Sequence, residues 1–158
     1  MEHTLNEILS RAGEVTILVI GDLILDEYLW GNIDRISPEA PVPVLEWTGE
    51  NLVLGGAANV AHNLMHLGTR VLLVGTVGKD EKGNKLKELL AKAGIESSGV
   101  FEDSSRPTTS KIRVLAHNQQ ILRIDKEASH EISLCVEESI KSYLYQVLPQ
   151  IDGVICSD

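Results

Sequence analysis

The sequence predicts an α/β fold in which a doubly wound, mostly parallel sheet carries a second, smaller sheet. Runs of β-branched and aliphatic residues at positions 15–20 and 70–74 indicate strands that are buried on both faces. A helical stripe of apolar residues lies before the second run, and this strand–helix–strand order is typical of parallel sheets with right-handed crossovers. Residues 28–54 instead alternate polar with apolar side chains and contain prolines, which confine strands to sheet edges. We therefore expect a small, partly exposed sheet apart from the main one.

The later segments continue both patterns. A helix is predicted between Asp80 and Gly94, because its apolar residues recur at helical spacing and glycine commonly ends a helix. Residues 108–124 alternate on either side of His117 and Asn118, which predicts a hairpin with its turn at these two residues. We expect this hairpin to join the earlier exposed strands.

The two cysteines lie in segments that favour a helix and a buried strand. Cys135 directly precedes the helical stripe at residues 136–147, and Cys156 ends the apolar run at residues 153–156. No CxxC spacing and no secretory signal accompany them. We expect both to be small core residues of a protein in a reducing compartment.

Composition narrows the classes of function. The net charge is −9 at pH 7 and the acidic residues are scattered, which argues against a nucleic-acid or anionic-membrane surface, because both require clustered Lys and Arg. No apolar run approaches the length that crosses a bilayer. The 158 residues suffice for one α/β core. We expect a cytoplasmic protein, one domain or part of one, with a small polar ligand.

The glycine pair before the first long helix is the strongest site signal. Gly55 and Gly56 let the backbone approach a ligand closely, the helix start that follows offers unpaired N–H groups, and Asn59 can both donate and accept. A tight connection without a ligand is the plainer explanation, but the combination suits a polyhydroxylated or anionic small molecule.

Charged residues near other strand ends extend this candidate site. Asp22 and Asp26 follow the first buried strand, where a carboxylate can accept hydrogen bonds from hydroxyl groups. Lys111, Arg113 and Arg123 lie on the predicted hairpin and suit a phosphate group, although a solvated strand face explains any one of them singly.

The sequence lacks the motifs of several other kinds of functional site. His62 and His66 are four residues apart, but no acidic residue or third ligand completes a metal site, so we expect none. The GxGxxG dinucleotide fingerprint, the Walker A sequence and the nucleophile elbow are absent. A nucleotide-binding oxidoreductase domain is therefore disfavoured.

The order of motifs resembles the ribokinase-like (PfkB) carbohydrate kinases. The family-level motifs are residues 21–26, GDLILD, residues 55–61, GGAANVA, and Gly75 with residues 78–80, GKD. More specific are residues 35–43, RISPEAPVP, and 111–125, which contain KIRVL, NQQ and RID. These are similar to the kinase domain of bacterial heptose-7-phosphate kinases, often fused to an adenylyltransferase, and the resemblance runs from Val15 onward.

The resemblance implies a reaction and its cofactors. The family transfers the γ-phosphoryl group of ATP, with Mg²⁺, to a sugar hydroxyl, here the anomeric hydroxyl of D-glycero-D-manno-heptose 7-phosphate in lipopolysaccharide synthesis. By position it implies sugar or phosphate contacts for the following residues: Asp26, Gly55, Gly56, Asn59, Lys111, Arg113 and Asp158, with Arg35 and Arg123 as further candidates.

The resemblance also implies an organisation of the chain. Residues 1–158 correspond to the N-terminal part of a ribokinase-like kinase domain, with core segments at about 15–27, 55–104 and 131–158. Segments at about 28–54 and 105–127 correspond to a β-lid that covers the sugar and commonly forms a homodimer interface.

One family motif is missing from the sequence. The family's GAGD-type segment, which carries the catalytic aspartate, and its ATP site lie further along the chain than Asp158, so we expect no catalytic base, cofactor-binding or metal residue within residues 1–158. The expectation is that this chain alone is inactive. Another PfkB-type sugar kinase and a non-catalytic dimerising fragment remain as alternatives.

Overall fold

The main sheet is parallel and has four strands. The computed structural model describes residues 6, 7 and 9–157. Within them the strand order is β5–β4–β1–β8 and every neighbouring pair is parallel. The strand bounds are Thr16–Gly21 for β1, Arg70–Gly78 for β4, Val100–Asp103 for β5 and Gly153–Ser157 for β8.

Helices cover both faces of this sheet. They are α1 (Gly56–His66), α2 (Glu81–Lys92) and α3 (Leu134–Val147), with short 3₁₀ turns at Ala12–Glu14 and Leu148–Gln150. Val100 packs in the core with residues of α1 and α2, whereas the adjacent Phe101 meets Tyr143 of α3 edge to face. Because successive residues of a strand point to opposite faces, the predicted doubly wound α/β arrangement is confirmed.

The second sheet, which we call the lid sheet, has the order β3–β2–β6–β7. Its strands are β2 (Leu23–Ile36), β3 (Pro43–Gly55), β6 (Ser110–Ala116) and β7 (Gln119–Lys126). The β6–β7 turn has His117 at φ 49° and Asn118 at φ 63°, as a two-residue hairpin turn requires, so the predicted hairpin is confirmed. Residues 23–27, assigned to a core segment by sequence, begin β2 and so belong to this sheet.

The base of the lid sheet is fixed to the main core. Leu23 and Leu25 are each 1% exposed and belong to the same apolar cluster as residues of β1, β4, α1 and α2. On the same face of β2 as Leu25, Glu27 forms an ion pair with Lys82 of α2, and Lys82 also donates to Ser110 Oγ of β6 at 2.9 Å. A shift of this end of the lid sheet would break both contacts.

A second link joins β6 to the start of α2. Asp80 caps α2 by accepting from the Gly83 N–H at 2.9 Å, and it also accepts from the Thr108 N–H at 3.0 Å and hydroxyl at 2.6 Å. Burial opposes ionisation, but these hydrogen bonds together lower the pKa of Asp80 below its ordinary value. The residues that lead into β6 are thereby held against the α2 cap.

The prediction of a buried last strand was wrong for β8. Val154 is 49% exposed, and both Cys156 of β8 and Cys135 of α3 are exposed instead of lying in the core. The reason is position, because β8 is the outermost strand of the described sheet and pairs only with β1.

Asp103 anchors the far end of the main sheet. Its side chain is buried, accepts from the Ser105 hydroxyl at 2.6 Å and N–H at 2.9 Å, and accepts from the Ser133 N–H, next to α3, at 2.8 Å. The Ser105 hydroxyl and then the Ser133 N–H lower the pKa of Asp103 from its ordinary 3.8 to about 2.

This anchor predicts a specific acid sensitivity. Because the folded pKa lies below the unfolded one, the contribution is present above the ordinary value of 3.8 and is lost as the pH falls through about 2. Asp103→Asn should lower the free energy of unfolding at pH 7 by about 2 kcal/mol and flatten its decline between pH 5 and 2. Urea denaturation at a series of pH values measures both. Glu102→Gln, a neighbour whose ion pair with Lys87 stays in solvent, is the control and should have a much smaller effect.

Candidate functional site

The carboxyl ends of two strands meet the start of α1 at Asp22. The Asp22 N–H donates to the Ser157 carbonyl at 3.2 Å, and its own carbonyl accepts from the Ala57 N–H at 2.9 Å. An open depression of about 350 Å³ lies here and is lined by Ile20, Gly21, Asp22, Cys156 and Ser157. In open α/β sheets this edge is where ligands bind.

The two glycines of the turn are required for different reasons. Gly56 has φ +54°, a left-handed conformation, and a Cβ there would collide with the Asp22 carbonyl. Gly55 has an ordinary φ of −121°, but a Cβ there would lie 2.5 Å from Asp26 Oδ2. The first glycine therefore makes room for the Asp26 carboxylate itself, and the second allows the chain to turn into α1.

Asp26 forms an ion pair with Arg113 across two strands of the lid sheet. The Arg113 Nη1 donates to Asp26 Oδ1, and the two side chains are 23% and 17% exposed respectively. The guanidinium carbon of Arg113 lies 5.3 Å from the centre of the Tyr28 ring, within cation–π range. The hydrogen bond to Asp26 raises the pKa of Arg113 above its ordinary value, partly opposed by burial.

The same face of the lid sheet carries further charges. Lys111 lies beside Asp26 in the β2–β6 register, and Asp125 and Arg123 of β7 lie opposite Lys111 and Arg113. Arg123 Nε donates to Asp125 Oδ1 at 2.9 Å, whereas Lys111 forms no ion pair among the described residues. This face therefore has an ammonium group available to an anionic ligand.

The structure brings most of the sequence-predicted site residues together. Asp26 adjoins Gly55, pairs with Arg113 and has Lys111 alongside. Asn59 is exposed on α1, about one helical turn beyond the glycine pair, so it lies on the same side of the helix.

Two residues remain to be placed, Asp158 and Tyr28. Asp158 lies outside the described residues; the residue before it, Ser157, is the acceptor of the Asp22 N–H. Tyr28 was missed as a site residue, although the period of two along β2 places it on the same face as Asp26.

The described residues contain no group of three or more His, Cys, Asp or Glu side chains that could hold a metal ion. His62 and His66 contact each other, with ring centres 4.3 Å apart. Over the same residues, no helix combines the length and the hydropathy of a membrane span.

Comparisons with known proteins agree on one family. A model described as "pfkB family carbohydrate kinase" matches residues 16–152. The Bifunctional protein HldE of Geotalea uraniireducens is 47% identical over 154 residues, covering 98% of this chain and 31% of that protein. The protein of the same name from Helicobacter pylori strain J99 is 50% identical over 142 residues, covering 90% and 31%. This chain thus spans about a third of the length of these relatives.

Solved structures share the fold at lower identity. A carbohydrate kinase from Agrobacterium tumefaciens matches with a TM-score of 0.64 at 21% identity, over 90% of this chain and 45% of that one. The tetrameric inhibited form of phosphofructokinase-2 from Escherichia coli matches with a TM-score of 0.63 at 21% identity, over 90% and 45%.

The geometry of the glycine turn predicts a graded response to added methyl groups. Gly49→Ala should change the free energy of unfolding by less than about 0.5 kcal/mol, because a Cβ there meets nothing within 4 Å. Gly68→Ala should lose about 1 kcal/mol from its φ of +90° alone, since it too has open space. Gly56→Ala should lose more than about 2 kcal/mol, because strain and collision add. Thermal or urea denaturation ranks the three, and equal losses for Gly56→Ala and Gly68→Ala would contradict the close approach to Asp22.

Proposed function

The chain belongs to the pfkB family of carbohydrate kinases, and we propose that it forms the sugar-binding side of a heptose-7-phosphate kinase. The reaction is transfer of the ATP γ-phosphoryl group to the anomeric hydroxyl of D-glycero-D-manno-heptose 7-phosphate, in the cytoplasm, toward the ADP-heptose used in lipopolysaccharide core synthesis. Two findings favour this sugar phosphate: the identity of 47–50% to Bifunctional protein HldE and the RISPEAPVP segment at residues 35–43.

The observation that carries the proposal is the meeting of Asp26 with the glycine turn. Asp26 is largely enclosed, and its Oδ2 occupies the space that a side chain on Gly55 would fill, so the carboxylate lies directly against the glycine turn. A carboxylate accepts hydrogen bonds from hydroxyls in a directional way, and a charged acceptor makes them strong. Lys111 supplies positive charge on the same face, which suits the phosphate of a sugar phosphate.

The proposed substrate contacts are Asp26, Gly55, Gly56, Asn59, Lys111 and Asp158, and Arg113 belongs to the site through its ion pair with Asp26. In this scheme Asp26 and Asn59 orient the hydroxyl groups, the glycine backbone allows the ring to approach α1, and the lid sheet excludes water from one side. Orientation of this kind contributes much of the rate of phosphoryl transfer, because the reacting oxygen must lie in line with the leaving group.

We propose ATP and Mg²⁺ as the cofactors because the family resemblance implies them. They would supply the transferred group and neutralise its developing charge. The family's GAGD-type segment does not occur in residues 1–158, so we propose that these residues supply neither the nucleotide site nor the catalytic base. Residues 1–158 alone are then expected to bind sugar phosphate without phosphorylating it.

A different pfkB-type sugar kinase is the second candidate. The fold and the Asp26–Gly55 geometry suit any polyhydroxylated substrate equally, so only the relatives and the cation at Lys111 favour a phosphorylated heptose. Parallel calorimetric titrations of the intact protein with heptose 7-phosphate, fructose 6-phosphate and ribose separate the two.

We also propose that the lid sheet forms a homodimer interface. Its outer strand β7 exposes three apolar side chains, Ile121, Leu122 and Ile124, and Trp47 of β3 is exposed as well. Several exposed apolar side chains on one edge strand, as on β7, are typical of a protein–protein interface. A second copy of the chain is the partner that the family resemblance implies.

Asp26→Asn tests the sugar contact. Replacing the charged acceptor should weaken heptose 7-phosphate binding to the intact protein by about 1–3 kcal/mol, because a hydroxyl loses an ionised partner. Isothermal calorimetry measures the change, with Asp34→Asn, an exposed carboxylate on the same strand, as the matched control. Unchanged affinity in Asp26→Asn would rule out this role.

Leu122→Glu tests the dimer. Leu122 and Leu67 are each 53% exposed, the first on the lid sheet and the second at the end of α1. Leu122→Glu should shift the intact protein toward monomer in sedimentation velocity, because it buries a charge in the interface, and Leu67→Glu should leave the distribution unchanged. Equal sedimentation of wild type and Leu122→Glu would contradict a lid-mediated dimer.

A further inference from the structure

We propose that Arg113 is a positioning residue that holds Asp26 in its binding orientation, and that it does not bind the phosphate of the substrate. The inference rests on the proposed function, because it assigns the work of Arg113 within that site. In this assignment Arg113 positions Asp26, and Lys111 binds the phosphate.

The register of the lid sheet shows how Arg113 reaches Asp26. Its direct neighbour on β2 is Tyr28, and Asp26 lies two residues earlier on the same face of the strand. The guanidinium therefore crosses diagonally to Asp26 while lying over the Tyr28 ring. The ring and the carboxylate together restrict the rotamers of Arg113, whose guanidinium is engaged by both.

The two oxygens of Asp26 have different surroundings. Oδ1 accepts from Arg113, whereas Oδ2 lies where a Cβ of Gly55 would otherwise stand. With Oδ1 engaged, the carboxyl group cannot rotate freely, and Oδ2 is directed at the glycine turn. One oriented acceptor selects the direction from which a hydroxyl approaches, and this makes the Arg113–Asp26 pair a determinant of which hydroxyl is recognised.

Electrostatics support the same assignment. A half-buried carboxylate needs a partner when a ligand displaces the surrounding water, and Arg113 is the partner already in place. If Arg113 moved away to bind the substrate phosphate, the Asp26 carboxylate would lose its cation and would lie near the negatively charged phosphate. Lys111 lies next to Asp26 and has no ion-pair partner among the described residues, so phosphate binding by Lys111 breaks no such contact.

A double-mutant cycle in the intact protein tests the assignment. Calorimetry measures the affinity for heptose 7-phosphate and for the same heptose without phosphate in Asp26→Asn, Arg113→Met, their double variant and Lys111→Met. Arg70→Met is the matched control, since Arg70 is exposed at the amino end of β4. Arg113→Lys is a milder variant that keeps the charge but loses the planar fork and should give an intermediate effect.

The proposal predicts coupled effects. Asp26→Asn and Arg113→Met should each weaken binding by about 10- to 100-fold for both ligands, with the double variant no weaker than Asp26→Asn alone. Lys111→Met should weaken only the phosphorylated ligand. If Arg113→Met weakens only the phosphorylated ligand, or its effect multiplies with that of Asp26→Asn, the positioning role is wrong while the proposed function stands. If the wild type binds neither ligand, the proposed function itself fails and this inference falls with it.

Discussion

Strand β2 is the element on which the rest of the structure depends, because it belongs to the core and to the lid sheet at once. Its first residues, Leu23 and Leu25, are buried in the main core, while the same strand pairs with β3 and β6 along its length. The lid sheet is therefore not attached by a flexible linker. Its base is set by the packing of the core, and the position of Asp26 follows from that packing.

Because side chains alternate between the two faces of β2, two adjacent acidic residues of this strand make different contacts. Asp26 and Glu27 are adjacent acidic residues, so they must point to opposite faces of the sheet. Glu27 meets Lys82 of the core helix α2, and Asp26 meets Arg113 beside the glycine turn. One carboxylate secures the sheet to the core and the other lies against the glycine turn, and each of these largely buried charges has its own cation.

Sequence patterns predicted the elements whose signals are local. The β-branched runs, the helix that starts at Asp80 and the two-residue turn at His117–Asn118 are each encoded by a few neighbouring residues, and the structure contains all three. The burial of β8 could not be predicted in this way, since its apolar residues look the same whether the strand is central or outermost. Exposure depends on which strands pair, and pairing is a long-range property.

The sequence identified candidate site residues, but it did not predict the contacts between them. The motif order singled out Asp26, Gly55 and Arg113 without indicating that they touch. Asp26 and Arg113 are 87 positions apart in sequence, and the parallel pairing of β2 with β6 brings them together. Tyr28 and Lys82 carry no motif at all. Their roles come from the register of the lid sheet and from its contact with α2.

A crystal structure of the intact protein with heptose 7-phosphate bound would test the sugar site directly. We expect a sugar hydroxyl within hydrogen-bond distance of the Asp26 carboxylate and the ring against the glycine turn. The phosphate should lie near Lys111, with Arg113 still paired with Asp26 Oδ1. A sugar bound away from Asp26 and the turn would contradict the claim that the lid sheet and α1 form the sugar site.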